Sequence, residues 1–240
     1  MRLVDVVAVE GVVFVTLFFS IISFIVSFFQ NTGDIAHCVA RLWARIVLII
    51  TGVKVRMHGL EHIDEKETYV FMSNHQSMYD IPALLGHLRV QFRWLAKIEL
   101  FRIPVFGRAM SNAGYIEIDR ANRKAAFRSI QRAARKVQEG TSVLVFPEGS
   151  RSDDGRIKPF KKGGFVLALS SGRPIVPVTI LGSGAILPKG SLRIEPGRIL
   201  LRIHPPVETT GFSNKNIDAL METVRSIMCR DLKMEKDANG

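Results

Sequence analysis

His75 and Asp80 form the residue pair in this sequence best suited to proton transfer. They stand five positions apart, directly after the apolar, β-rich run Thr68–Ser73. Five positions on one helix would turn the two side chains about 140° apart, whereas Pro82 favours a turn at His75 and a helix beginning near Asp80. In that arrangement the carboxylate would bind one imidazole nitrogen and leave the other free as a general base. The alternative for the pair alone is a helix cap beside an ordinary loop histidine.

Other catalytic chemistries have less support in the sequence. There is no G-x-S-x-G segment, and the two cysteines, Cys38 and Cys229, adjoin no motif, so a covalent acyl-enzyme has no evident nucleophile. No Cys and His cluster has the spacing of a metal site, and we expect neither a metal nor a disulfide. Gly184–Ser191 is a near miss to a phosphate-binding loop, because Lys189 precedes Gly190 instead of following it, and nucleotide hydrolysis is rejected.

The segment Asn74–Asp80 is the first of four blocks that occur in a fixed order. The other three are Gly114–Arg120, Phe146–Ser152 and Pro174–Ile180. In this order and at these separations the blocks resemble those of the glycerolipid acyltransferase family, specifically its 1-acylglycerol-3-phosphate acyltransferase branch. Ala96–Leu100 is similar to the same branch, and the resemblance covers about residues 55 to 207.

The resemblance implies transfer of a fatty acyl group from a thioester to the sn-2 hydroxyl of 1-acyl-sn-glycerol 3-phosphate (lysophosphatidate), which gives phosphatidate. The donor would be acyl-coenzyme A or acyl carrier protein, and no other cofactor is expected. His75 would take the hydroxyl proton, and Asp80 would stabilise the imidazolium that forms. Two related alternatives remain open: another lysophospholipid or lipid acceptor, and a lipid esterase that uses the same His and Asp pair to activate water.

Five residues in or beside the blocks are predicted to bind substrate. Lys97, Arg120 and Arg151 are candidates for the acceptor's phosphate, since Arg151 is able to bind it bidentately and Lys97 as a point charge. Glu148 is expected to bind the free hydroxyl of the acceptor or to hold Arg151. Gly149 belongs to the same block and is predicted to lie at the substrate.

The charge of the chain indicates an anionic partner. Lys and Arg outnumber Asp and Glu by 33 to 22, a formal net charge of +11. Much of the excess lies on the predicted helix 122–138, where contact with acidic lipid is the simplest interpretation. Paired aromatic residues typical of RNA-binding sheets are absent, so nucleic acid is not expected as a partner. A non-enzymatic, basic membrane-binding module remains an alternative.

Two apolar stretches at the N-terminus predict membrane attachment. Gly11–Phe29 carries no charge and is nearly long enough to cross a bilayer. In Ile35–Val53, Arg41 and Arg45 share one helical face and are expected to reach lipid headgroups. The two helices are expected to hold the protein at the cytoplasmic face of the inner (plasma) membrane, either spanning it or entering one leaflet. The alternative is that the second stretch is a core helix of the soluble domain.

Beyond Gly52 the sequence alternates between strands and helices. The predicted strands are Thr68–Ser73, Ser142–Phe146, Ile175–Ile180 and Ile199–Ile203. This alternation predicts an α/β fold with a mixed, mostly parallel sheet flanked by helices and preceded by the two-helix membrane anchor. We expect membrane-attachment helices in residues 1–52, a catalytic domain in 53–232 with its last helix at about Asn216–Leu232, and a disordered tail in 233–240.

Overall fold

The computed structural model describes residues 3–26, 28–29 and 32–239. The remaining residues of the predicted anchor and tail (1–2, 27, 30–31 and 240) lie outside the described residues. Within this range the chain forms a sheet of seven strands in the order β1-β7-β6-β2-β5-β3-β4. The strands are β1 (Val53–His58), β2 (Val70–Ser73), β3 (Phe92–Lys97), β4 (Ile116–Ile118), β5 (Ser142–Val145), β6 (Ile175–Leu181) and β7 (Gly197–Ile203).

Helices cover both faces of this sheet. They are α1 (Leu3–Val26), α2 (Asp34–Ile50), α3 (Asp80–His87), α4 (Ile98–Phe101), α5 (Phe106–Asn112), α6 (Arg123–Gln138), α7 (Lys162–Ser171), α8 (Ser183–Ile186) and α9 (Ile217–Asn239). The expected mixed, mostly parallel α/β fold is confirmed, because the pairs from β6 through β2, β5 and β3 to β4 are all parallel and only β6 and β7 pair antiparallel.

The side-chain alternation of the central strands divides the interior into two cores. Phe71 and Leu144, paired across β2 and β5, face the core that contains α2 and α3. Their neighbours Val70 and Val143 face the other core, which contains α6, α7 and α9. Strands buried on both faces explain why the sequence shows continuous apolar runs at these positions. The carboxyl ends of the five parallel strands meet at one edge, where ligands bind in open α/β sheets.

The second N-terminal helix, α2, belongs to the α/β domain and corrects the expectation that it anchors the chain in lipid. Ala44, Val47 and Leu48 are buried in the core beside α3. The guanidinium of Arg41 donates to the carbonyl oxygens of Leu88 and Val90, and Arg45 donates to that of Gly86. Both arginines therefore hydrogen-bond with the C-terminal end of α3 and the residues just after it. The interpretation as a core helix is the one that the structure supports, and the boundary expected at residue 52 divides a packed unit.

The first helix, α1, differs from α2 in its outer surface. Val6–Val26 spans 21 residues and, alone among the described helices, is long and apolar enough to cross a membrane by length and composition. One side of α1 packs on α2 and α5. The other side exposes large apolar residues: Val7, Val13, Phe14, Leu17, Phe18, Ile21, Phe24 and Ile25.

The last helix, α9, continues through residues 233–239, where a disordered tail was expected. Lys233, Met234 and their successors include strong helix formers and no glycine or proline before Gly240. The predicted end at Leu232 is therefore too early, since the apolar pattern stops there but the backbone hydrogen bonding does not.

Candidate active site

His75 and Asp80 meet at the carboxyl end of β2. As predicted, His75 stands on the turn after the strand and Asp80 is the first residue of α3. The Nδ1 atom of His75 lies 2.7 Å from Oδ2 of Asp80. Because an ionised carboxylate only accepts hydrogen bonds, Nδ1 carries the proton and Nε2 presents a lone pair. The Asp80 side chain is fully buried, whereas 14% of the His75 side chain is exposed.

The backbone of the turn fixes this pair. Oδ2 of Asp80 also accepts the N–H groups of Gln76, at 2.7 Å, and Ser77, at 2.9 Å. One carboxylate oxygen therefore closes the turn and binds the imidazole at the same time. A local ring of this kind requires the break between strand and helix at residues 74–79, which explains the five-residue spacing.

Asn74 anchors the turn to the sheet, a role that the sequence did not reveal. Its side-chain amide donates to the carbonyl oxygen of Ile180 at 2.9 Å and accepts the N–H of Ile180 at 2.7 Å. The buried amide thus replaces a strand residue in the pairing between β2 and β6. An Asn after a strand usually signals a turn, so only the adjacency of these two strands gives it this structural function.

The imidazole of His75 lies flat against the ring of Phe146. The two centroids are 4.0 Å apart and the planes differ by 10°, and Trp94 stacks behind Phe146 at 5.4 Å. Among the described residues, none forms a hydrogen bond with Nε2. His75 lines a cavity of about 400 Å³, so the free nitrogen is available to a bound substrate.

Glu148 supports the catalytic turn from behind. Its Oε1 accepts the N–H of His75 at 2.7 Å and its Oε2 that of Lys158 at 2.8 Å. Burial raises the pKa of this carboxyl to about 6, although the two backbone hydrogen bonds lower it. Glu148 does not line the cavity, and no described ion pair joins it to Arg151. This arrangement differs from the two expected roles, binding the acceptor's hydroxyl and holding Arg151, because both carboxylate oxygens of Glu148 accept hydrogen bonds from the backbone.

The other predicted binding residues surround the cavity. Lys97, Arg120, Gly149 and Arg151 all line it together with His75. They come from three strand ends, those of β3, β4 and β5, which are adjacent in the sheet. Arg120 donates to the carbonyl oxygen of Gly149 and so connects two of these ends. Gly149 has φ 75°, a left-handed conformation that favours glycine at this turn.

A fourth cavity cation, Lys189, was not among the predicted site residues. It follows α8 and belongs to the near miss to a phosphate-binding loop that the sequence analysis rejected. After Lys189 the next described element is the strand β7, and not a helix. Its approach to the cavity depends on the order of the strands, which the sequence alone does not give.

The rest of the cavity is apolar and is shared between the domain and α1. Its walls come from α1, α2, β3 and the α4–α5 region; the apolar residues include Phe19, Ala40, Trp43, Trp94, Leu95, Leu100, Phe106, Ala109, Met110 and Ala113. Trp43 holds α1 in place by donating from Nε1 to the hydroxyl of Thr16 at 3.0 Å. The site thus combines a base and cations at the strand ends with a long apolar compartment, a combination suited to an amphiphilic substrate.

Comparison with known proteins agrees with this fold and site. Residues 54–181, more than half of the chain, match the model of the Acyltransferase family, and the chain belongs to this family.

Particular relatives extend the match beyond that region. The chain is 38% identical over 204 residues to the chloroplastic 1-acyl-sn-glycerol-3-phosphate acyltransferase BAT2 of Brassica napus, which covers 84% of this chain and 59% of that protein. It is 33% identical over 191 residues to 1-acyl-sn-glycerol-3-phosphate acyltransferase alpha of Bos taurus, covering 79% of this chain and 67% of that one. The crystal structure of the 1-acyl-sn-glycerophosphate acyltransferase PlsC from Thermotoga maritima matches with a TM-score of 0.82 at 28% identity, covering 98% of this chain and 96% of PlsC. The chain thus spans less than two thirds of the length of the Brassica napus protein.

Proposed function

We propose that this protein is a 1-acylglycerol-3-phosphate O-acyltransferase that makes phosphatidate from lysophosphatidate and an acyl thioester. The observation that carries the proposal is the position of the His75 and Asp80 pair, at the junction of a cationic rim and an apolar cavity. A lysophosphatidate molecule has the matching shape, with a phosphate, a free hydroxyl and one acyl chain. The names and substrates of the relatives agree with this assignment.

The reaction needs no covalent intermediate. Nε2 of His75 takes the proton of the acceptor hydroxyl while the hydroxyl oxygen attacks the thioester carbonyl carbon. The carbon–sulfur bond then breaks, the imidazolium returns the proton to the leaving thiolate, and an ester and a free thiol result. Asp80 stabilises the imidazolium between these two steps. General-base catalysis of this kind contributes about 10²–10⁴-fold to the rate.

Lys97, Arg120 and Arg151 are proposed to bind the acceptor's phosphate. All three line the cavity, and no described carboxylate lies within 4 Å of either arginine's guanidinium. Among the residues that the structure describes, Lys97 pairs only with Glu99, at 3.8 Å, and both side chains are more than half exposed. These cations are therefore free to compensate the phosphate's charge. Gly149, whose carbonyl oxygen accepts from Arg120, is proposed to shape the same subsite.

The outer face of α1 supports a monotopic attachment to the membrane. Its exposed side chains are apolar over several turns, while its inner face, through Phe19, Ser20 and Ser23, forms part of the cavity wall. A helix that packs along the domain in this way lies in one leaflet, with the cavity next to lipid. We place the protein at the cytoplasmic face of the inner membrane, where acyl-coenzyme A or acyl carrier protein delivers the acyl group and no other cofactor is required.

An acceptor panel tests the proposed function. The full-length protein in lipid vesicles is given a labelled acyl donor with lysophosphatidate, with the corresponding monoacylglycerol, or with no acceptor. We expect labelled phosphatidate with the first and far slower turnover with the second, because the cationic subsite is then empty. Equal turnover with both acceptors would refute lysophosphatidate as the substrate, and rapid release of free fatty acid without an acceptor would assign an esterase instead.

A further inference from the structure

The cations of the cavity lie on two sides of His75. Along the carboxyl edge of the sheet the strand ends follow the order β6, β2, β5, β3 and β4. His75 follows β2, and Lys97 and Arg120 follow β3 and β4, on one side of it. Arg151 lies in the segment that leaves β5 and passes over the turn of His75. Lys189 comes after β6, on the opposite side. A phosphate bound by the first three cations therefore leaves Lys189 beside a different part of the bound substrates.

Lys189 is held at the cavity by Asp153. Its Nζ lies 2.8 Å from Oδ1 and 3.1 Å from Oδ2 of this carboxylate. Lys158 approaches the same carboxylate at 3.5 Å, and the lysines lower the pKa of Asp153, the hydrogen bond from Lys189 most strongly. Two lysines share one carboxylate, so the cluster keeps a net positive charge. The Lys189 ammonium has three N–H donors, and 39% of the side chain is exposed, so the ammonium is able to donate to an anion without leaving Asp153.

The segment that carries Asp153 lies over the catalytic turn. The N–H of Ser152 donates to the carbonyl oxygen of His75 at 2.8 Å, and the Gln76 amide donates to that of Gly155 at 3.3 Å. This segment leaves the end of β5 and reaches Lys189, which follows β6, across the β2 end between them. The position of Lys189 is thus linked to that of His75.

The segment before Lys189 is tied to the same turn from the other direction. The hydroxyl of Ser77, which is fully buried, donates to the carbonyl oxygen of Leu187 at 2.8 Å. Lys189 is therefore fixed to the catalytic turn both through its own segment and through Asp153. An ordinary surface lysine has no such connections.

We infer that Lys189 binds the phosphate of the donor's phosphopantetheine arm, the group that acyl-coenzyme A and acyl carrier protein share. This inference rests on the proposed function. The reaction brings two anionic ligands to His75, and three other cavity cations, Lys97, Arg120 and Arg151, are already proposed for the acceptor's phosphate. Lys189 supplies a cation on the other side of the base, where the thiol half of the donor leaves. Asp153 is a positioning residue that keeps the ammonium at the cavity.

Donor analogues that differ in this phosphate test the inference. With the full-length Lys189→Ala protein in vesicles, KM is measured for four donors: acyl-coenzyme A, acylated acyl carrier protein, acyl-phosphopantetheine and acyl-pantetheine. Only the last of these lacks the phosphate. We expect KM to rise about tenfold for the three phosphorylated donors, because the variant loses one charge-assisted hydrogen bond to their phosphate. The KM for acyl-pantetheine and for lysophosphatidate should not change, and Lys189→Arg should restore most of the loss.

Other patterns of KM change would contradict the inference in distinguishable ways. A rise confined to acyl-coenzyme A would assign Lys189 to the nucleotide phosphates and overturn the inference. An increased KM for lysophosphatidate or for acyl-pantetheine would overturn the inference as well, and so would an unchanged KM for every donor. Lys66→Ala, an exposed lysine near the opposite end of β2, is the matched control and should behave as the unmodified protein. Absence of transfer from every donor by the unmodified protein would refute the proposed function itself. Lys189→Met, which keeps the apolar stem, repeats the comparison should the alanine variant be unstable.

Discussion

Replacing Asp80 by asparagine removes the charge of this residue while retaining its hydrogen bonds. Oδ2 accepts from His75, Gln76 and Ser77, whereas Oδ1 is buried and has no described hydrogen-bond partner. The two backbone N–H groups require an acceptor, so the amide oxygen takes the place of Oδ2 and the amide nitrogen that of Oδ1. The imidazole therefore keeps its neighbour and its tautomer, and only the charge is lost.

The structure gives the size of this effect. The charges of an imidazolium and a carboxylate joined by a 2.7 Å hydrogen bond lie about 4 Å apart, which corresponds to roughly 4 kcal/mol at an effective dielectric constant of about 20. With the proton about half transferred in the transition state, about 2 kcal/mol is lost, or roughly 30-fold in kcat. Asp80 does not line the cavity, so neither KM should change.

The assay is steady-state phosphatidate formation by Asp80→Asn and Asp80→Ala, with thermal unfolding in mild detergent as the control for folding. Asp80→Ala also leaves two backbone N–H groups unpaired, each costing about 1–3 kcal/mol, so it should lower both kcat and stability. Asp80→Asn keeps both backbone N–H groups paired but places an unpaired amide N–H2 at the buried Oδ1 position. It should therefore lower kcat with a smaller loss of stability than Asp80→Ala. A kcat for Asp80→Asn within about twofold of the unmodified protein, or one as low as that of a variant lacking the imidazole, would refute the reasoning from charge.

Three further predictions concern the cavity, the turn and the membrane surface. Arg151→Ala should raise KM for lysophosphatidate about tenfold and that for the donor little, as one charge-assisted contact is lost; a change in the donor KM would reassign this arginine. The pKa of Glu148 is about 6 in the folded protein against 4.5 for the free side chain, so the folded state binds more protons between these pH values. This group therefore lowers the free energy of unfolding by about 2 kcal/mol as pH rises through that window. Glu148→Gln should remove this pH dependence of stability in denaturant titrations, and an unchanged dependence would contradict the assignment. Phe18→Glu, on the outer face of α1, should reduce sedimentation with vesicles, whereas Met234→Glu, equally exposed or more so on α9, should not; equal binding by both variants would exclude α1 as the attachment surface.

The catalytic pair was predictable because its constraint is local. A strand, a turn and a proline in the first helical turn are enough to place His75 beside Asp80, and the structure has this arrangement. Four of the seven strands, β2, β5, β6 and β7, were similarly accessible, since buried strands leave continuous apolar runs in the sequence. The strands β1, β3 and β4 were not among the predicted ones. The boundaries moved by only one or two residues, as at β2, which begins at Val70 where Thr68 was expected.

The residues that the sequence did not place correctly depend on contacts distant along the chain. Arg41 and Arg45 share a helical face whether that face meets lipid or the end of α3, and the spacing does not distinguish the two. Glu148 lies in the same family block as Arg151, yet its two carboxylate oxygens accept hydrogen bonds from the backbone N–H groups of His75 and Lys158. The approach of Lys189 to the cavity requires β6 to lie next to β2, a feature of sheet order.

The central claim is that the imidazole of His75 deprotonates the acceptor hydroxyl, and its most direct test is the rate of the chemical step in His75→Ala. Single-turnover phosphatidate formation is measured with saturating lysophosphatidate and donor, and the exposed His58 of β1, changed to alanine, is the control. We predict a loss of about 10²–10⁴-fold for His75→Ala, with unchanged substrate binding and thermal stability, and no loss for the control. A chemical step of undiminished rate in a folded His75→Ala protein would contradict the account.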